Sequence, residues 1–170
     1  MTIHIRQASP EDSAAIANVH VSSWLAAYDK IVPASVLDAQ SVEKQEAFWR
    51  KALNRRCDNV FVAIAPSNEV VGWVSFGPSR KNTATGEIYA IYVRPDHFRS
   101  GIGSSLWEIA YPRLQTAGFS SVIALVITNN HAARKFYDSI GFTLVPDSES
   151  TFIWEGERIA DVCYKYHFNT

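Results

Sequence analysis

The spacing of apolar residues along the 170-residue chain predicts an alternation of strands and helices. Short runs rich in β-branched and aromatic residues are typical of strands, whereas an apolar period near 3.6 is typical of helices. The clearest helix follows Asn130, where apolar residues recur at i, i+3, i+4 and i+7 from Ala133 to Ile140. By these patterns, strands are predicted at 3–7, 60–65, 70–76, 87–93, 121–127, 151–154 and 159–168.

Capping residues and turn formers bound the helical segments. Ser9 is followed by Pro10 and then by Asp12 at the third helical position, a pattern that starts a helix. We expect this first helix to be interrupted at Trp24 by an aromatic-rich connection that runs to Pro33. Further helices are predicted at 35–53, 102–117 and 130–140.

The order of these elements is strand, two helices, three strands, helix, strand, helix and two strands. Strands and helices that alternate in this way predict the α/β class, with a mixed sheet and helices on both of its faces. No repeat, low-complexity tract or linker interrupts residues 1–170. We therefore expect a single domain.

Composition and charge narrow the classes of function. Lys and Arg number 16 and Asp and Glu number 17, for a formal net charge of −1. The basic residues are scattered, so nothing favours a nucleic-acid or anionic-membrane partner. The start of the chain lacks the apolar core of a signal peptide, and no apolar run approaches the ~20 residues that a membrane span needs. We therefore expect a cytoplasmic protein.

The cysteines and histidines do not suggest a metal site. Cys57 and Cys163 are far apart and form neither a CxxC pair nor another metal-ligand spacing. The simplest interpretation is two reduced thiols packed as small apolar groups. His20, His97 and His131 also lack partners at a ligand spacing, and we interpret them as surface or helix-face residues.

A glycine pair between a predicted strand and a predicted helix is the first sign of chemistry. The run Gly101-Ile102-Gly103-Ser104 opens a helix, so backbone N–H groups converge there with the positive end of the helix dipole, which suits a phosphate. Such a pair can equally be only a tight turn. It is not a P-loop, because no Lys follows the second glycine, and not a dinucleotide loop, because Leu106 stands where the third glycine belongs.

A second block of residues changes the interpretation. The run from Asn130 to Phe142 resembles a signature of the GCN5-related N-acetyltransferase (GNAT) family, roughly Asn-x-x-Ala-x-x-Phe-Tyr-x-x-x-Gly-Phe. The other signature of that family, Val-x-Pro followed by [Gln/Arg]-x-x-Gly-x-[Gly/Ala], is similar to the run from Val93 to Gly103. The two blocks stand in the family's order, and the likeness in element order extends over nearly the whole chain. The matching positions of the later block are Asn130, Ala133, Phe136, Tyr137, Gly141 and Phe142.

One position departs from the family pattern. Phe98 stands where the family usually has Gln or Arg, and Arg99 follows one place later. Because backbone amides do most of the phosphate binding in such a loop, we expect cofactor binding to be retained. The sequence leaves open whether Arg99 reaches the phosphates or points into solvent.

The resemblance implies a fold and a cofactor. The fold would be a mixed, mostly antiparallel sheet of about seven strands flanked by helices, in which the strand before the loop splays from the 121–127 strand. The cofactor would be acetyl-CoA, as acetyl donor, with its pantetheine arm in that gap. The residues implied in binding it are Ile91, Tyr92 and Val93 through their backbones, Arg99, Ser100, Gly101, Ile102, Gly103 and Ser104 around the pyrophosphate, and Asn130, Ala133 and Phe136.

The same resemblance implies two catalytic residues and an acceptor pocket. The Tyr137 hydroxyl would protonate the departing CoA thiolate, although the ring could instead be half in the core. Glu87, at the start of the central strand, is placed to take a proton from the acceptor amine or to bind it as a cation; equally, it could only pair with a nearby Arg. Trp24 and Tyr28 fall where the family builds its acceptor pocket, and both could also be core residues.

We therefore predict an acetyl-CoA-dependent N-acetyltransferase in which an amine, from a small molecule or a peptide, attacks the thioester directly. No cysteine lies near either signature, so a covalent acyl-enzyme is not indicated. One alternative is a catalytically degenerate module that senses acyl-CoA, against which the presence of both Tyr137 and Glu87 argues. Another is a CoA-dependent enzyme with a different acceptor, such as a hydroxyl or a protein N-terminus. The last strands could pair with a second copy as a homodimer, but nothing in the sequence requires it.

Overall fold

The computed structural model of the protein describes residues 2–55 and 59–169, so Cys57 lies outside the described residues. Short 3₁₀ turns lie at Pro10–Asp12 and Pro95–His97. The helices are α1 Ser13–Tyr28, α2 Ala34–Asp38, α3 Val42–Asn54, α4 Ile102–Thr116 and α5 His131–Ser139. The strands are β1 His4–Gln7, β2 Val60–Ile64, β3 Val70–Pro78, β4 Gly86–Val93, β5 Ser121–Ile127, β6 Thr143–Leu144, β7 Ser150–Trp154 and β8 Glu157–His167.

The strands form one sheet in the order β1-β2-β3-β4-β5-β8-β6, with β7 also paired to β8. The observed pairings are antiparallel except for that between β4 and β5, which is parallel. The predicted fold class, a mixed and mostly antiparallel sheet flanked by helices, is confirmed. The pattern of the sequence does not reveal β6 as a separate strand, because two residues are too few to show an alternation of apolar and polar positions.

Helices cover both faces of the sheet because the side chains of each strand alternate between the faces. In β2, Val60 and Val62 pack with residues of α1 and α3, and the intervening Phe61 joins the cluster that contains residues of α4. That second cluster is the larger one, and Leu106 and Val122 are wholly buried in it. The two faces are therefore separate layers wherever the strands are paired.

The first helix is longer than the sequence predicts. The predicted interruption at Trp24 is wrong, because α1 continues without a break to Tyr28. The aromatic residues pack on one another: the ring of Trp24 lies 4.3 Å from that of Tyr28 and 4.9 Å from that of Trp154. Tertiary packing of this kind overrides the weak intrinsic helix preferences of aromatic residues.

The next predicted helix is broken in two. The single helix predicted at 35–53 is wrong, because α2 ends at Asp38 and α3 begins at Val42. Ser41 starts the second helix as its N-cap, since its hydroxyl oxygen accepts a hydrogen bond from the Lys44 N–H (3.2 Å). The break lets α2 turn over the sheet, where Val36 is wholly buried.

The parallel pair at the centre of the sheet is short. Only Gly86–Ile88 of β4 pairs with residues 122–124 of β5, although β4 runs on to Val93 and β5 to Ile127. Beyond the paired residues the two strands separate and leave a gap in the middle of the sheet. Groups from the two faces can meet in this gap, whereas elsewhere the sheet divides them.

Candidate active site

The backbone of β4 presents hydrogen-bonding groups to the gap at alternate residues. The Arg94 N–H donates to the Val71 carbonyl (2.8 Å), which sets the alternation along the antiparallel β3–β4 ladder. The backbone groups of Tyr92 therefore face β3, and those of Ile91 and Val93 face the gap. Tyr92 instead contributes its ring to the aromatic clusters of the α1 face.

One of the gap-facing carbonyls has a partner on α1. The hydroxyl of Ser23, a buried residue, lies 2.6 Å from the Val93 carbonyl oxygen. The Val19 carbonyl, one helical turn earlier, is 2.5 Å from the same hydroxyl. Because a hydroxyl donates one hydrogen, it bonds one of the two at a time. Ser23 therefore ties α1 to the end of β4 and occupies a group that would otherwise face the gap.

The loop after β4 turns sharply into α4. Gly101 has φ +85°, and a Cβ built there would meet nothing within 4 Å, so the backbone conformation requires glycine and the position opens onto free space. Arg99 is also left-handed, with φ +60°, and both it and Phe98 are exposed. The first N–H groups of α4, from Ile102 onward, lack partners within the helix and point out of its start.

The second glycine of the motif has a different structural reason. A Cβ on Gly103 would lie 3.0 Å from the ring of Phe136, so glycine allows α5 to pack closely on the first turn of α4. The Ser100 hydroxyl donates to the His97 carbonyl (2.5 Å) and closes the loop, while Ser104 is half-buried in the first turn of α4. The predicted phosphate cradle is thus assembled from one loop and two helices.

Asn130 begins α5, as the sequence predicts. Its side-chain oxygen accepts a hydrogen bond from the Ala133 N–H (3.0 Å), and the residue is buried. Arg134 then holds the helix in place, because its guanidinium donates to the Thr128 carbonyl (3.1 Å) and to the Tyr164 hydroxyl (3.2 Å). Sequence reasoning misses Arg134, because its partners lie on other elements and no local pattern marks them.

Three tyrosines converge on the gap. Burial raises the pKa of Tyr137 well above its ordinary value, and the neighbouring Tyr28 acts in the same direction. Burial also raises the pKa of Tyr92 well above its ordinary value, with Tyr28 and Tyr137 as further causes. The phenols are therefore near one another, although Tyr137 belongs to α5 and Tyr28 to α1 on the opposite face. They can meet because β4 and β5 separate between them.

The two aromatic residues predicted for the acceptor pocket have different environments. Trp24 is 2% exposed and packs with Val36 and Ile159, so its ring lies in the core, the alternative that the sequence leaves open. Tyr28 is half-buried. Burial raises the pKa of its hydroxyl, and a hydrogen bond with the Asn130 side chain acts in the opposite direction.

Glu87 lies at the paired end of β4 on the α1 face and is 1% exposed. Arg80, in the loop between β3 and β4, donates to one carboxylate oxygen through Nε (3.1 Å) and Nη2, and to the other through its backbone N–H (3.0 Å). The Arg80 side chain is 66% exposed, with its guanidinium 5.3 Å from the ring centroid of Tyr89. Pairing with an arginine is one of the alternatives that the sequence leaves open for Glu87, and it offsets the carboxylate charge.

The α1 face continues beside Glu87 as a partly open surface. Glu87 is in register with Ile123, and Ile123 with Lys165 on the next strand. Leu125 and Cys163 form the neighbouring row. These four residues of β5 and β8 are half-buried, and we call them the β5–β8 surface. Sequence reasoning does not find this surface, because two strands that are distant along the chain contribute to it.

The histidines have distinct environments. The ring of His20 lies 4.8 Å from that of Tyr92 and 5.7 Å from that of Trp73, and burial lowers its pKa to about 4. His97 bonds the Asp96 carboxylate (2.8 Å) and is half-buried.

Within residues 2–55 and 59–169, no three His, Cys, Asp or Glu side chains gather as metal ligands would. Over the same ranges, every helix is too short or too polar to cross a membrane.

A splayed parallel pair beside a phosphate-type loop is the arrangement that the resemblance implies for an acyltransferase that uses a CoA thioester. The model of the acetyltransferase (GNAT) family matches residues 20–142, which is more than half of the chain. The protein therefore belongs to the GNAT family. It is an acyltransferase of the N-acetyltransferase class.

Individual relatives agree with this assignment. The uncharacterized N-acetyltransferase YuaI of Bacillus subtilis (strain 168) is 34% identical over 162 residues, which cover 94% of this chain and 90% of that protein. The structure of the PaiA N-acetyltransferase of Thermoplasma acidophilum, in complex with coenzyme A, has a TM-score of 0.74 at 19% identity and covers 99% of this chain and 100% of that one. The structure of yncA from Salmonella typhimurium, with its cofactor acetyl-CoA, has a TM-score of 0.73 at 21% identity, with coverages of 100% and 96%. At these identities the two structures establish the fold alone.

Proposed function

We propose that the protein transfers the acetyl group of acetyl-CoA to an amine bound at the β5–β8 surface. The observation that carries the proposal is the separation of β4 and β5 beyond Gly86–Ile88, beside the turn at Gly101 that starts α4. A gap of this kind would let a thioester enter from the α4 face and be attacked from the α1 face. Family membership and the two CoA-bound structural relatives support the same donor.

The described residues fit a CoA-type ligand. Its pyrophosphate would bind the N–H groups from Arg99 to Ser104, where the free space at Gly101 leaves room for phosphate oxygens. When bound, acetyl-CoA would supply the acetyl group as a thioester. The residues proposed along the pantetheine arm are Ile91, Val93, Asn130, Ala133 and Phe136.

Tyr137 is the proposed general acid. As the amine nitrogen bonds to the carbonyl carbon and the C–S bond breaks, the Tyr137 hydroxyl would donate its proton to the sulfur. Its raised pKa keeps the hydroxyl protonated at neutral pH, so the donor form is present. The amine nitrogen loses one proton as the amide forms, and this proton would return through water to the phenolate, whose raised pKa makes it a strong proton acceptor.

Glu87 is the predicted base or cation-binding group, and its contacts bear on both roles. Arg80 bonds both carboxylate oxygens and offsets the charge that would attract an ammonium. This argues against cation binding and favours a role in holding Arg80, while the base role stays a prediction. If Glu87 is the base, Glu87→Gln should lower kcat and shift the acidic limb of the pH–rate profile. If it acts through Arg80, then Glu87→Gln, Arg80→Ala and the double variant should share one kinetic defect.

Direct attack by the amine is retained as the proposed route. Cys163 lies on the β5–β8 surface, which the sequence does not predict, so a thiol is present on the acceptor side. Burial is the largest influence on this thiol and raises its pKa. The thiolate that a covalent acyl-enzyme needs is therefore disfavoured.

Release of free thiol from acetyl-CoA, measured against polyamines, amino acids, aminoglycosides and N-terminal peptides, tests the proposal. We expect saturable, acceptor-dependent release, together with a rise in Tm on addition of CoA, because a ligand that binds only the folded state stabilises it. A module that senses acyl-CoA without turnover would show the rise in Tm and no release with any acceptor. Absence of a Tm shift at millimolar CoA would contradict the proposed donor.

A further inference from the structure

Three basic residues border the β5–β8 surface. Lys165 belongs to it and lies two strands from Glu87, about 10 Å away at the backbone. Arg80 lies against Glu87, with most of its side chain exposed. Lys81 follows Arg80 in the same loop and is exposed, and Lys165 lies two residues from Cys163 along β8 on the same face of the sheet.

The acidic groups of the same face already have partners. Glu87 is bonded by the guanidinium and the backbone N–H of Arg80. Asp161, at the other end of the face, accepts a hydrogen bond from the Ser150 hydroxyl (2.7 Å). Neither lysine forms an ion pair with any residue of the ranges 2–55 and 59–169. The cationic groups of this face therefore outnumber its two carboxylates by one, and the two ammonium groups lie outside any ion pair, beside a half-buried floor that contains Ile123 and Leu125.

We propose that the acceptor is a small amine that also carries a carboxylate, as an amino acid does, and that Arg80, Lys81 and Lys165 bind this carboxylate. The inference rests on the proposed function and names the substrate class of the same site. A polyamine or an aminoglycoside would bring more positive charge to a surface that already carries an excess of it. A carboxylate would instead gain charge-assisted hydrogen bonds from groups that now face solvent.

Matched acceptor series test this inference in the thiol-release assay. Each of a set of amino acids is compared with its primary amide and with the amine that lacks the carboxyl group altogether. We expect kcat/KM for the best amino acid to exceed that of its amide by at least ~10-fold, as expected for the loss of hydrogen bonds to charged groups. The comparison is conservative, because the amino group of the amide is less basic and more of it is uncharged and ready to attack.

Substitution of Lys165 tests whether this side chain causes the preference for a carboxylate. Lys165→Gln keeps most of the side-chain length and removes the charge, and it should raise KM for the amino acid by about tenfold while leaving KM for the amide unchanged. Lys51→Gln, at an exposed position on α3, is the matched control and should change neither value. The rise in Tm caused by CoA should be the same in both variants and in the wild type, because the change lies on the acceptor side.

Three outcomes would overturn the inference. The first is equal or better turnover of the amides, the second is a polyamine or an aminoglycoside as the best acceptor, and the third is a Lys165→Gln effect of equal size on acid and amide. Each would do so while CoA binding and thiol release persist, so the proposed function would survive. Loss of CoA binding in the wild type would instead overturn the proposed function, and this inference with it.

Discussion

The two sides of the β4–β5 gap are built in different ways. The side proposed to bind the cofactor consists of backbone groups of β4, the 99–104 loop and the first turns of α4 and α5, all within residues 91–136. The side proposed to bind the acceptor consists of side chains from α1, the β3–β4 loop, β5 and β8, which are spread over most of the chain. The residues of the proposed cofactor side therefore belong to two short sequence motifs, whereas those of the proposed acceptor side come together only when the chain folds.

This difference explains which substitutions each side tolerates. Phe98 replaces the polar residue usual in the family, yet the turn at Gly101 and the helix start at Ile102 are formed. Backbone N–H groups do not change with the side chain, so we expect phosphate binding at the proposed cradle to be insensitive to this replacement. The proposed acceptor side relies on particular side-chain charges, such as that of Lys165, so we expect its substrate preference to change when those side chains change.

Gly101→Glu should have the largest effect, and we expect it to lower CoA affinity without changing the proposed acceptor side. A carboxylate would enter the space proposed for the phosphates, and we expect CoA affinity to fall by at least ~10²-fold because like charges in contact cost several kcal/mol. Gly118→Glu is the matched control, since Gly118 has a similar φ of +89° and equally open surroundings at the other end of α4. Calorimetry should show normal CoA binding in this control, and equal loss in both variants would mean that the charge at Gly101 does not matter.

Tyr137→Phe should leave both sides folded and remove the group that acts between them. We expect turnover to fall by ~10²-fold or more, in line with typical general-acid contributions, with an unchanged affinity for CoA. Tyr164→Phe is a suitable control, because its ring lies 6.1 Å from that of Tyr137 and its hydroxyl bonds Arg134. If single-turnover rates of Tyr137→Phe match the wild type, water or another group protonates the thiolate.

Low pH should lower the free energy of unfolding through protonation of His20, which packs on the α1 face of the sheet. Its pKa is about 4 in the folded protein against an ordinary value of 6.5, so the unfolded chain binds the proton first as pH falls. The free energy of unfolding should therefore drop by about 3 kcal/mol as the pH falls from 6.5 to 4, and this group should contribute little change well above pH 6.5. Urea unfolding of His20→Phe should lack this drop, whereas His131→Phe, at an exposed position, should keep it. An identical drop in His20→Phe would assign the acid sensitivity to other groups.

Ser23→Ala should give the smallest effect, and we expect it to lower both the free energy of unfolding and the affinity for CoA. Loss of the hydroxyl leaves the half-buried Val93 carbonyl without that partner, at a cost of about 1 kcal/mol. We expect CoA to bind about fivefold more weakly, because the end of β4 is no longer tied to α1. Ser22→Ala removes a neighbouring hydroxyl that bonds only within the helix, to the Val19 carbonyl (3.3 Å), and should leave CoA binding unchanged. Equal affinities in the two variants would show that the tie does not shape the gap.

Local patterns were enough for the elements whose ends are marked by neighbouring residues. The bounds of β5 agree with the prediction at 121–127, and α5 begins at the predicted Asn130 cap. The same patterns failed at Trp24 and within 35–53. At Trp24 the cause is distant, because the ring of Trp154, more than a hundred residues away, packs on α1. Within 35–53 the cause is local, because Ser41 caps a new helix inside a segment whose apolar spacing suggests a single one.

The sequence by itself determined the fold class, the family and the motif residues of the cofactor side, because glycine conformation, helix caps and strand alternation are properties of adjacent residues. Only the tertiary structure decided that the Ser23 hydroxyl bonds the Val93 carbonyl and that Arg80 pairs with the Glu87 carboxylate. It also placed Lys165 and Cys163 on the same face of the sheet as Glu87. These contacts depend on strand register and on the point at which β4 and β5 separate. Both are set by the packing of residues that are far apart in the chain, so no local pattern of apolar and polar residues records them.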